Sequence, residues 1–151
     1  MALVCVITGS KNDEVLIEPG LNLLKELSVP YEFSVISAHR NPEKLRAHVL
    51  GLKDRGIEVV IAAAGAAAHL PGVVASWTTL PVIGVPLATS ELKGIDSLYS
   101  IVQMPAGVPV ACVGIGVSGV KNAALLAAQI LGLKHEKIAV AFADYKRKMA
   151  S

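Results

Sequence analysis

Short apolar runs alternate along the chain with longer segments in which apolar residues recur every three or four positions. The short runs consist almost entirely of Val, Ile and Ala, which is typical of strands buried on both faces. We expect five strands, at Leu3–Thr8, Tyr31–Ser37, Glu58–Ala64, Val82–Pro86 and Val108–Gly114. The longer segments predict helices at Val15–Leu27, from about Pro42 to Asp54, up to about Trp77, at Gly94–Val102, at Ser118–Leu131 and at His135–Met149.

Strands that alternate with helices predict a parallel sheet whose two faces are covered by helices, with right-handed crossovers. We therefore expect a single α/β domain over residues 1–151, with three α/β/α layers and a C-terminal helix at about 135–149. In such folds ligands bind beyond the carboxyl ends of the strands. The residues that directly follow each strand are thus the candidates for function.

Composition limits the classes of function. The chain is 53% hydrophobic with a mean hydropathy of +0.57, yet no apolar run approaches the eighteen or so residues of a membrane helix. We expect instead that a homo-oligomer covers part of the surface. A net charge of +2, scattered basic residues and only 4% aromatic residues argue against nucleic acid as a partner. The amino terminus enters a strand directly, which predicts a cytoplasmic protein.

Cysteines and two of the histidines give no sign of a metal site. Cys5 and Cys112 lie in apolar runs without metal-ligand spacing, so we expect buried, reduced thiols. His48 and His135 fall within helical patterns, and we expect both at the surface.

The segment after the first strand, Gly9-Ser10-Lys11-Asn12-Asp13, combines a tight turn, a hydroxyl and the N-terminus of a helix. Such a turn binds anions through its backbone N–H groups. The same residues also fit an ordinary helix cap by Ser10, Asn12 or Asp13. The segment alone does not separate the two interpretations.

Ser37-Ala38-His39-Arg40, after the second strand, is a polar group at the end of an apolar run. Arg40 can bind a phosphate or carboxylate through two parallel hydrogen bonds, and Ser37 can assist. His39 carries the type of side chain that titrates near neutral pH. His69, after the third strand, is either part of the same site or a structural residue.

Gly114-Ile115-Gly116-Val117-Ser118-Gly119 matches the glycine pattern of dinucleotide-binding proteins. That pattern belongs to the first βαβ unit and needs an acidic residue at the end of the next strand. Here it follows the last strand, and the downstream acids Glu136 and Asp144 fall in a predicted helix. We therefore expect a glycine-rich turn that lines the ligand cleft rather than a site for NAD.

Taken together, six segments resemble those of the PurE family, bacterial type, in one register over nearly the whole chain. They are Gly9-Ser10-x-x-Asp13, Ser37-Ala38-His39-Arg40-x-Pro42, Ala64-Gly65-x-Ala67-Ala68-His69-Leu70-Pro71-Gly72, the run Leu80–Pro86, the run Asp96–Pro105 and the run Asn122–Leu131. The resemblance implies a flavodoxin-like subunit in a homo-octamer. It also implies a mutase of de novo purine biosynthesis, which converts N5-carboxyaminoimidazole ribonucleotide to the 4-carboxy isomer without metal or cofactor.

The resemblance also implies roles for individual residues. His39 would be the catalytic acid and base. The residues that would hold the ribose phosphate part of the substrate are Ser10, Asp13, Ser37 and Arg40. The residues that would border the base and a CO2 pocket are Gly65, Ala68, His69 and Leu70.

The expected chemistry fits these residue types. A carbamate loses CO2 once its nitrogen is protonated, and a histidine can supply that proton. The freed CO2 must stay beside the ring carbon in a small, dry pocket, which the alanine and glycine run Ala62–Ala68 suits.

Three positions depart from the family pattern. Asn12 replaces a usual serine, so one phosphate or ribose contact would come from an amide, and Ala66 replaces a usual glycine beside the CO2 region. Ala106 replaces the arginine or glycine often found after Met104-Pro105. Three alternatives to a mutase stay open: a carboxylase that uses CO2 directly, a non-catalytic nucleotide sensor, and a dinucleotide-dependent oxidoreductase.

Overall fold

Five parallel strands form one sheet in the computed structural model, which describes residues 1–151. The strands are β1 (Val4–Thr8), β2 (Tyr31–Val35), β3 (Val59–Gly65), β4 (Val82–Leu87) and β5 (Ala111–Cys112). Their order in the sheet is β2-β1-β3-β4-β5. The order reverses after β2, so the carboxyl ends of β1, β2 and β3 lie side by side, where doubly wound sheets bind ligands.

Six helices connect and cover the strands. They are α1 (Glu14–Glu26), α2 (Pro42–Leu50), α3 (Leu70–Trp77), α4 (Ile95–Val102), α5 (Gly116–Gly132) and α6 (Glu136–Ala150). A short 3-10 turn over Lys11–Asp13 precedes α1. No helix is both long and apolar enough to cross a membrane.

Two separate cores lie on the two faces of the sheet, because successive residues of a strand point to opposite sides. In β1, Val4 and Val6 pack with α1 and α5 on one face. Cys5 and Ile7 pack with α2, α3 and Ile101 of α4 on the other. This arrangement confirms the predicted three-layer α/β/α fold in one domain.

Helices α1 and α5 approach closely because both present small residues. A Cβ added to Gly20 of α1 would lie 2.5 Å from Cγ1 of Val120, so the contact requires glycine there. Helix α5 contributes three completely buried alanines to the core on this face of the sheet: Ala123, Ala124 and Ala127. Small side chains thus set the distance between the helical layer and the strands.

The predicted boundaries differ from the structure mainly at the edges. The expected strand over 108–114 is reduced to Ala111–Cys112, where Ala111 is exposed. The edge strand β2 is only half-buried along its length, so the prediction of strands buried on both faces is wrong for β2 and β5. Helix α2 ends at Leu50 rather than Asp54, because the chain turns at Gly51 and again at Gly56, whose φ is 85°.

Candidate active site

A cavity of about 190 Å³ opens at the carboxyl ends of β1, β2 and β3. The structure brings seven of the predicted site residues to its wall: Ser10, Asp13, Ser37, His39, Arg40, Gly65 and Leu70. Four further residues, Gly9, Ala38, Ala64 and Ala67, complete the wall. These four were not predicted individually. They are small residues in the same strand-end segments, and that position is the only feature of the sequence that indicates them.

His39 and His69 form a direct contact at the mouth of this cavity. Nε2 of His39 lies 2.8 Å from Nδ1 of His69, and the two rings are nearly perpendicular, with centroids 4.9 Å apart. A hydrogen bond between two imidazoles needs one N–H and one lone pair. The pair therefore carries at most one imidazolium while the bond exists, and both rings are exposed to solvent. A proton on His39 can thus be shared with, or passed to, His69.

Serine hydroxyls hold the two loops that carry the polar residues. Ser10 caps the 3-10 turn, because its Oγ accepts the backbone N–H of Asn12 at 3.2 Å. Ser37 does the same for the second loop, where its Oγ accepts the backbone N–H of Arg40 at 3.1 Å. The capping interpretation is therefore confirmed for Ser10, which nevertheless faces the cavity. Each hydroxyl keeps a hydrogen that it can donate to a ligand.

Asp13 and Arg40 give the cavity one acidic and one basic side. Asp13 is 8% exposed, its carboxylate makes no capping hydrogen bond, and burial raises its pKa. The guanidinium of Arg40 is exposed. A phosphate would be repelled by the carboxylate and attracted by the guanidinium. The polarity of the cavity therefore favours a ligand with hydroxyl groups near Asp13 and an anion near Arg40.

The turn after β3 forms the apolar wall. Gly65 must lack a side chain, since a Cβ there would collide with the hydroxyl of Thr89. Ala66 follows with φ of 49°, in the left-handed region that glycine adopts more readily. Ala68 is buried behind the wall, whereas Leu70, which is also buried, borders the cavity. The result is a surface of methyl groups and bare backbone rather than polar side chains.

Four predicted binding residues do not line the cavity itself. Asn12 points to a neighbouring groove beside α1, and Ala66 lies exposed on the outside of the turn. Ala68 is buried behind the turn, while His69 reaches the site only through its contact with His39.

The glycine-rich turn after β5 serves packing. A Cβ at Gly119 would collide with the backbone of Gly114, so the glycines let the start of α5 approach the preceding loop. Asn122 donates from Nδ2 to the carbonyl of Val113 at 3.0 Å and holds the same loop. The expectation that this turn lines the ligand cleft is wrong, because none of its residues reaches the cavity.

The other two histidines and the cysteines depart partly from the sequence-based expectations. His48 and His135 are half-buried rather than surface residues, and both contact glutamates: Glu32 for His48 and Glu58 for His135. Cys5 is fully buried as expected, whereas Cys112 in the short edge strand is only half-buried. Both thiols are free.

A larger groove of about 500 Å³ lies between α1, α5 and α6. Its polar residues are spread over helix surfaces and include no histidine or arginine. The cavity at the strand ends is smaller but combines a histidine pair, an arginine, a carboxylate and an apolar wall. Convergent polar groups at the strand ends identify that cavity as the candidate site.

Comparison with known proteins agrees with this geometry. The family model described as AIR carboxylase matches residues 3–151. The chain is 51% identical to the N5-carboxyaminoimidazole ribonucleotide mutase of Thermotoga maritima, covering 99% of this chain and 86% of that protein. It is 56% identical to the mutase of Saccharolobus solfataricus, over 92% and 87% of the two chains.

A solved structure shows the same fold. The crystal structure of Treponema denticola PurE superposes with a TM-score of 0.89 at 30% sequence identity, covering 99% of this chain and 92% of that chain. Sequence and fold similarity thus extend over the whole domain, including the loops that form the cavity. The chain therefore belongs to the AIR carboxylase family, also called PurE.

Proposed function

We propose that this protein is an N5-carboxyaminoimidazole ribonucleotide mutase, an isomerase of de novo purine biosynthesis. The observation that carries the proposal is the position of His39, which lines a cavity that Ala64, Gly65 and Ala67 also line. A proton donor and an apolar pocket in one cavity are the two elements that carboxylate migration needs. Relatives at 51% and 56% identity bear the name of this activity.

The first half-reaction removes CO2 from nitrogen. His39 gives a proton to N5 of the substrate, and the N–C bond of the carbamate breaks. The fragments are CO2 and aminoimidazole ribonucleotide, and both react again in the second half-reaction. The wall formed by Ala64, Gly65 and Ala67 carries no polar side chain that could react with CO2. CO2 is thereby retained beside the ring.

The second half-reaction forms the carbon–carbon bond. C4 of the imidazole attacks CO2, and the new intermediate carries both a carboxylate and a hydrogen on C4. The basic nitrogen of His39 then removes that hydrogen as a proton and restores the aromatic ring. One proton is delivered and one is recovered, so the cycle consumes none. Through its 2.8 Å contact, His69 orients His39 for both transfers.

The polar residues hold the ribonucleotide so that its ring reaches His39. In this assignment Arg40 binds the phosphate, and Asp13 accepts hydrogen bonds from the ribose hydroxyls. Ser10 and Ser37 donate their free hydroxyl hydrogens to the ligand. Asn12 adds an amide contact at the edge of the site. The charges on the cavity wall support this orientation over the reverse one.

The experiment that tests the function supplies N5-carboxyaminoimidazole ribonucleotide or aminoimidazole ribonucleotide, each with and without bicarbonate. A mutase converts the first without bicarbonate. Strict dependence on bicarbonate, with no use of the N5-carboxylated substrate, would show a carboxylase instead.

The same assay on His39→Asn separates catalysis from binding. We expect turnover to be lost while ligand affinity stays within about tenfold, roughly 1.4 kcal/mol. Asparagine keeps hydrogen-bonding capacity but cannot accept and return a proton near neutral pH. A wild-type protein that binds the ribonucleotide and converts none of it would be a sensor, and thermal protection by NAD would point to an oxidoreductase.

The quaternary structure and the location form part of the proposal. The family resemblance supports a homo-octamer, and the many exposed apolar side chains support burial of subunit surface. The cavity of about 190 Å³ is smaller than most ligand pockets, which begin at about 300 Å³, so a neighbouring subunit would complete it.

A phosphorylated, water-soluble substrate supports a cytoplasmic enzyme. Fractionation of cells tests the location.

A further inference from the structure

Three metal-ligating side chains from three different elements meet on the side of the sheet covered by α2. Cys5 of β1 and Glu32 of β2 are paired in the parallel register, so their side chains stand next to each other on one face. His48 of α2 covers them. Sγ of Cys5 lies 3.5 Å from Nε2 of His48, and that nitrogen lies 3.6 Å from Oε1 of Glu32. All three donor atoms lie within 4.8 Å of one another.

These separations resemble the edges of a zinc coordination tetrahedron. With Zn–S of about 2.3 Å and Zn–N of about 2.05 Å, tetrahedral geometry puts sulfur and nitrogen about 3.6 Å apart. The corresponding nitrogen–oxygen edge is about 3.4 Å. The observed 3.5 Å and 3.6 Å contacts therefore match two edges of the tetrahedron, and the third pair, sulfur and carboxylate oxygen, lies within 4.8 Å. Thiolate, imidazole and carboxylate are together the donor set of zinc and cobalt rather than of magnesium or calcium.

We propose that Cys5, Glu32 and His48 form a binding site for a thiophilic divalent cation of the Zn²⁺ type, with water as the fourth ligand. The mutase reaction does not use this site. It lies toward the amino ends of β1 and β2, whereas the catalytic cavity lies beyond their carboxyl ends. A bound ion would tie β1, β2 and α2 together.

Arg55 contacts the imidazole of the proposed site. Its Nη2 lies 3.4 Å from Nε2 of His48, and a guanidinium only donates hydrogen bonds. An N–H of Arg55 that is directed at Nε2 needs the lone pair of that nitrogen, which puts the ring proton of His48 on Nδ1. A metal ion needs the same tautomer and the same lone pair, so binding displaces the contact between Arg55 and Nε2 of His48.

Arg55 also sets the strength of the site. It binds Glu32 through Nη2–Oε1 at 2.8 Å and Nε–Oε2 at 3.3 Å, so a positive charge already lies beside the ligands. An ion takes Oε1, while Nε of Arg55 keeps Oε2 as an outer contact of the carboxylate. The side chains of Glu32 and His48 are 27% and 20% exposed, so an ion can reach these two ligands from solvent. Removing the competing charge of Arg55 is therefore expected to tighten binding.

Cobalt titration of the metal-free protein tests the site, because a thiolate bound to Co²⁺ absorbs in the near ultraviolet. We expect one Co²⁺ per chain at this site, release of one proton from the Cys5 thiol, and displacement of cobalt by Zn²⁺. Cys5→Ser should abolish the thiolate absorption. His48→Gln should weaken cobalt binding at least tenfold, and Arg55→Gln should strengthen it.

Matched controls separate this site from other donors. Cys112→Ser removes the second thiol, and His69→Gln disrupts the histidine pair of the catalytic cavity, so neither should change the thiolate absorption. Because Cys5 is buried, circular dichroism checks that Cys5→Ser is folded. His48→Gln alters a less buried position and gives an independent result. Wild-type protein without thiolate absorption, or absorption that survives Cys5→Ser, would overturn the proposal.

Discussion

Ala66 occupies a backbone conformation that suits glycine better than alanine. Its φ of 49° brings the methyl group close to its own carbonyl, at a cost of about 1–2 kcal/mol. Ala66→Gly removes that strain, and the greater freedom of glycine in the unfolded chain offsets about 0.4–1 kcal/mol of the gain. We expect Ala66→Gly to raise the free energy of unfolding by about 0.5–1 kcal/mol, measured by urea denaturation.

Ala67→Gly is the matched control, because Ala67 is an equally exposed neighbour without a positive φ. Here the entropic cost of glycine has no strain to offset it, so the variant should be no more stable than the wild type. Equal effects of the two substitutions would contradict the strain argument.

Asp13 combines a binding role with a cost in stability. Burial raises the pKa of its carboxyl, so the folded state binds the proton more tightly than the unfolded state. The stability that this proton contributes is present below the unfolded-state pKa and is lost as pH rises through the higher folded-state pKa. Asp13→Asn should therefore increase the free energy of unfolding at pH 7 by about 1 kcal/mol, as measured by thermal unfolding across pH, while substrate affinity falls.

The gain from Asp13→Asn should disappear in acid, where the wild-type carboxyl is already neutral. Glu91→Gln serves as control, since Glu91 is exposed in the loop after β4. A stability gain that does not depend on pH, or an equal gain in the control, would contradict burial as the cause.

At the residue scale, the sequence predicts which residues belong to the site better than it predicts which side chains touch each other. Ser37, His39 and Arg40 stand out because polar groups end an apolar strand, and all three line the cavity. The contact between His39 and His69 could not be predicted, because it depends on how two loops thirty residues apart turn toward each other. The cluster of Cys5, Glu32 and His48 was missed for the same reason, since strand pairing rather than spacing brings it together.

At the scale of the elements, an ion pair links the turn between α5 and α6 to the residue that precedes β3. Glu58 accepts from Nζ of Lys134 at 2.8 Å and contacts Nε2 of His135 at 3.1 Å. Hydrogen bonding from Lys134 lowers the pKa of Glu58, so this stabilisation is present above the unfolded-state pKa and is lost as pH falls through the lower folded-state pKa. We expect Glu58→Gln to cost about 0.5–1 kcal/mol of unfolding free energy at pH 7 and low salt.

A double-mutant cycle with Lys134→Gln isolates this ion pair in the same denaturation experiment. The coupling should shrink in 1 M salt, where exposed charges are screened, and below the ordinary pKa of glutamate. Coupling that persists under both conditions would mean that packing, and not charge, holds the turn.

Element boundaries followed the sequence where the apolar period was strong and failed at the sheet edge. Helix α5 was predicted within two residues at its start and one at its end, because small and large apolar residues alternate at helical spacing throughout. The fifth strand was predicted over seven residues and has two. Its apolar residues fill the space beside α4 without pairing, and local sequence does not distinguish packing from strand pairing.

Taken as a whole, the subunit exposes more surface than its size requires. Its accessible area is 7940 Å², against about 7300 Å² for a compact monomer of 15.7 kDa. Part of the excess is apolar and contiguous on α4, where Ile95, Tyr99 and Val102 recur at helical spacing and are 45%, 64% and 48% exposed. An apolar stripe of this kind is typical of a protein interface.

We therefore expect the wild type to elute as an oligomer in size-exclusion chromatography with light scattering, and the double variant Ile95→Glu/Tyr99→Glu to dissociate into smaller species. Two carboxylates in place of apolar contacts would each require desolvation without a partner at the interface. Leu133→Glu is the control, because Leu133 is 90% exposed in the turn before α6, outside the stripe.

Activity measured on the same samples tests whether the active site needs a neighbouring subunit. If a neighbouring subunit completes the small cavity, the dissociated double variant should lose substrate affinity although its own His39, Arg40 and Asp13 are unchanged. Circular dichroism establishes that the dissociated subunit keeps its fold. A monomeric wild type, or a dissociated variant with full activity, would place the entire site within one chain and would leave the excess surface without a catalytic purpose.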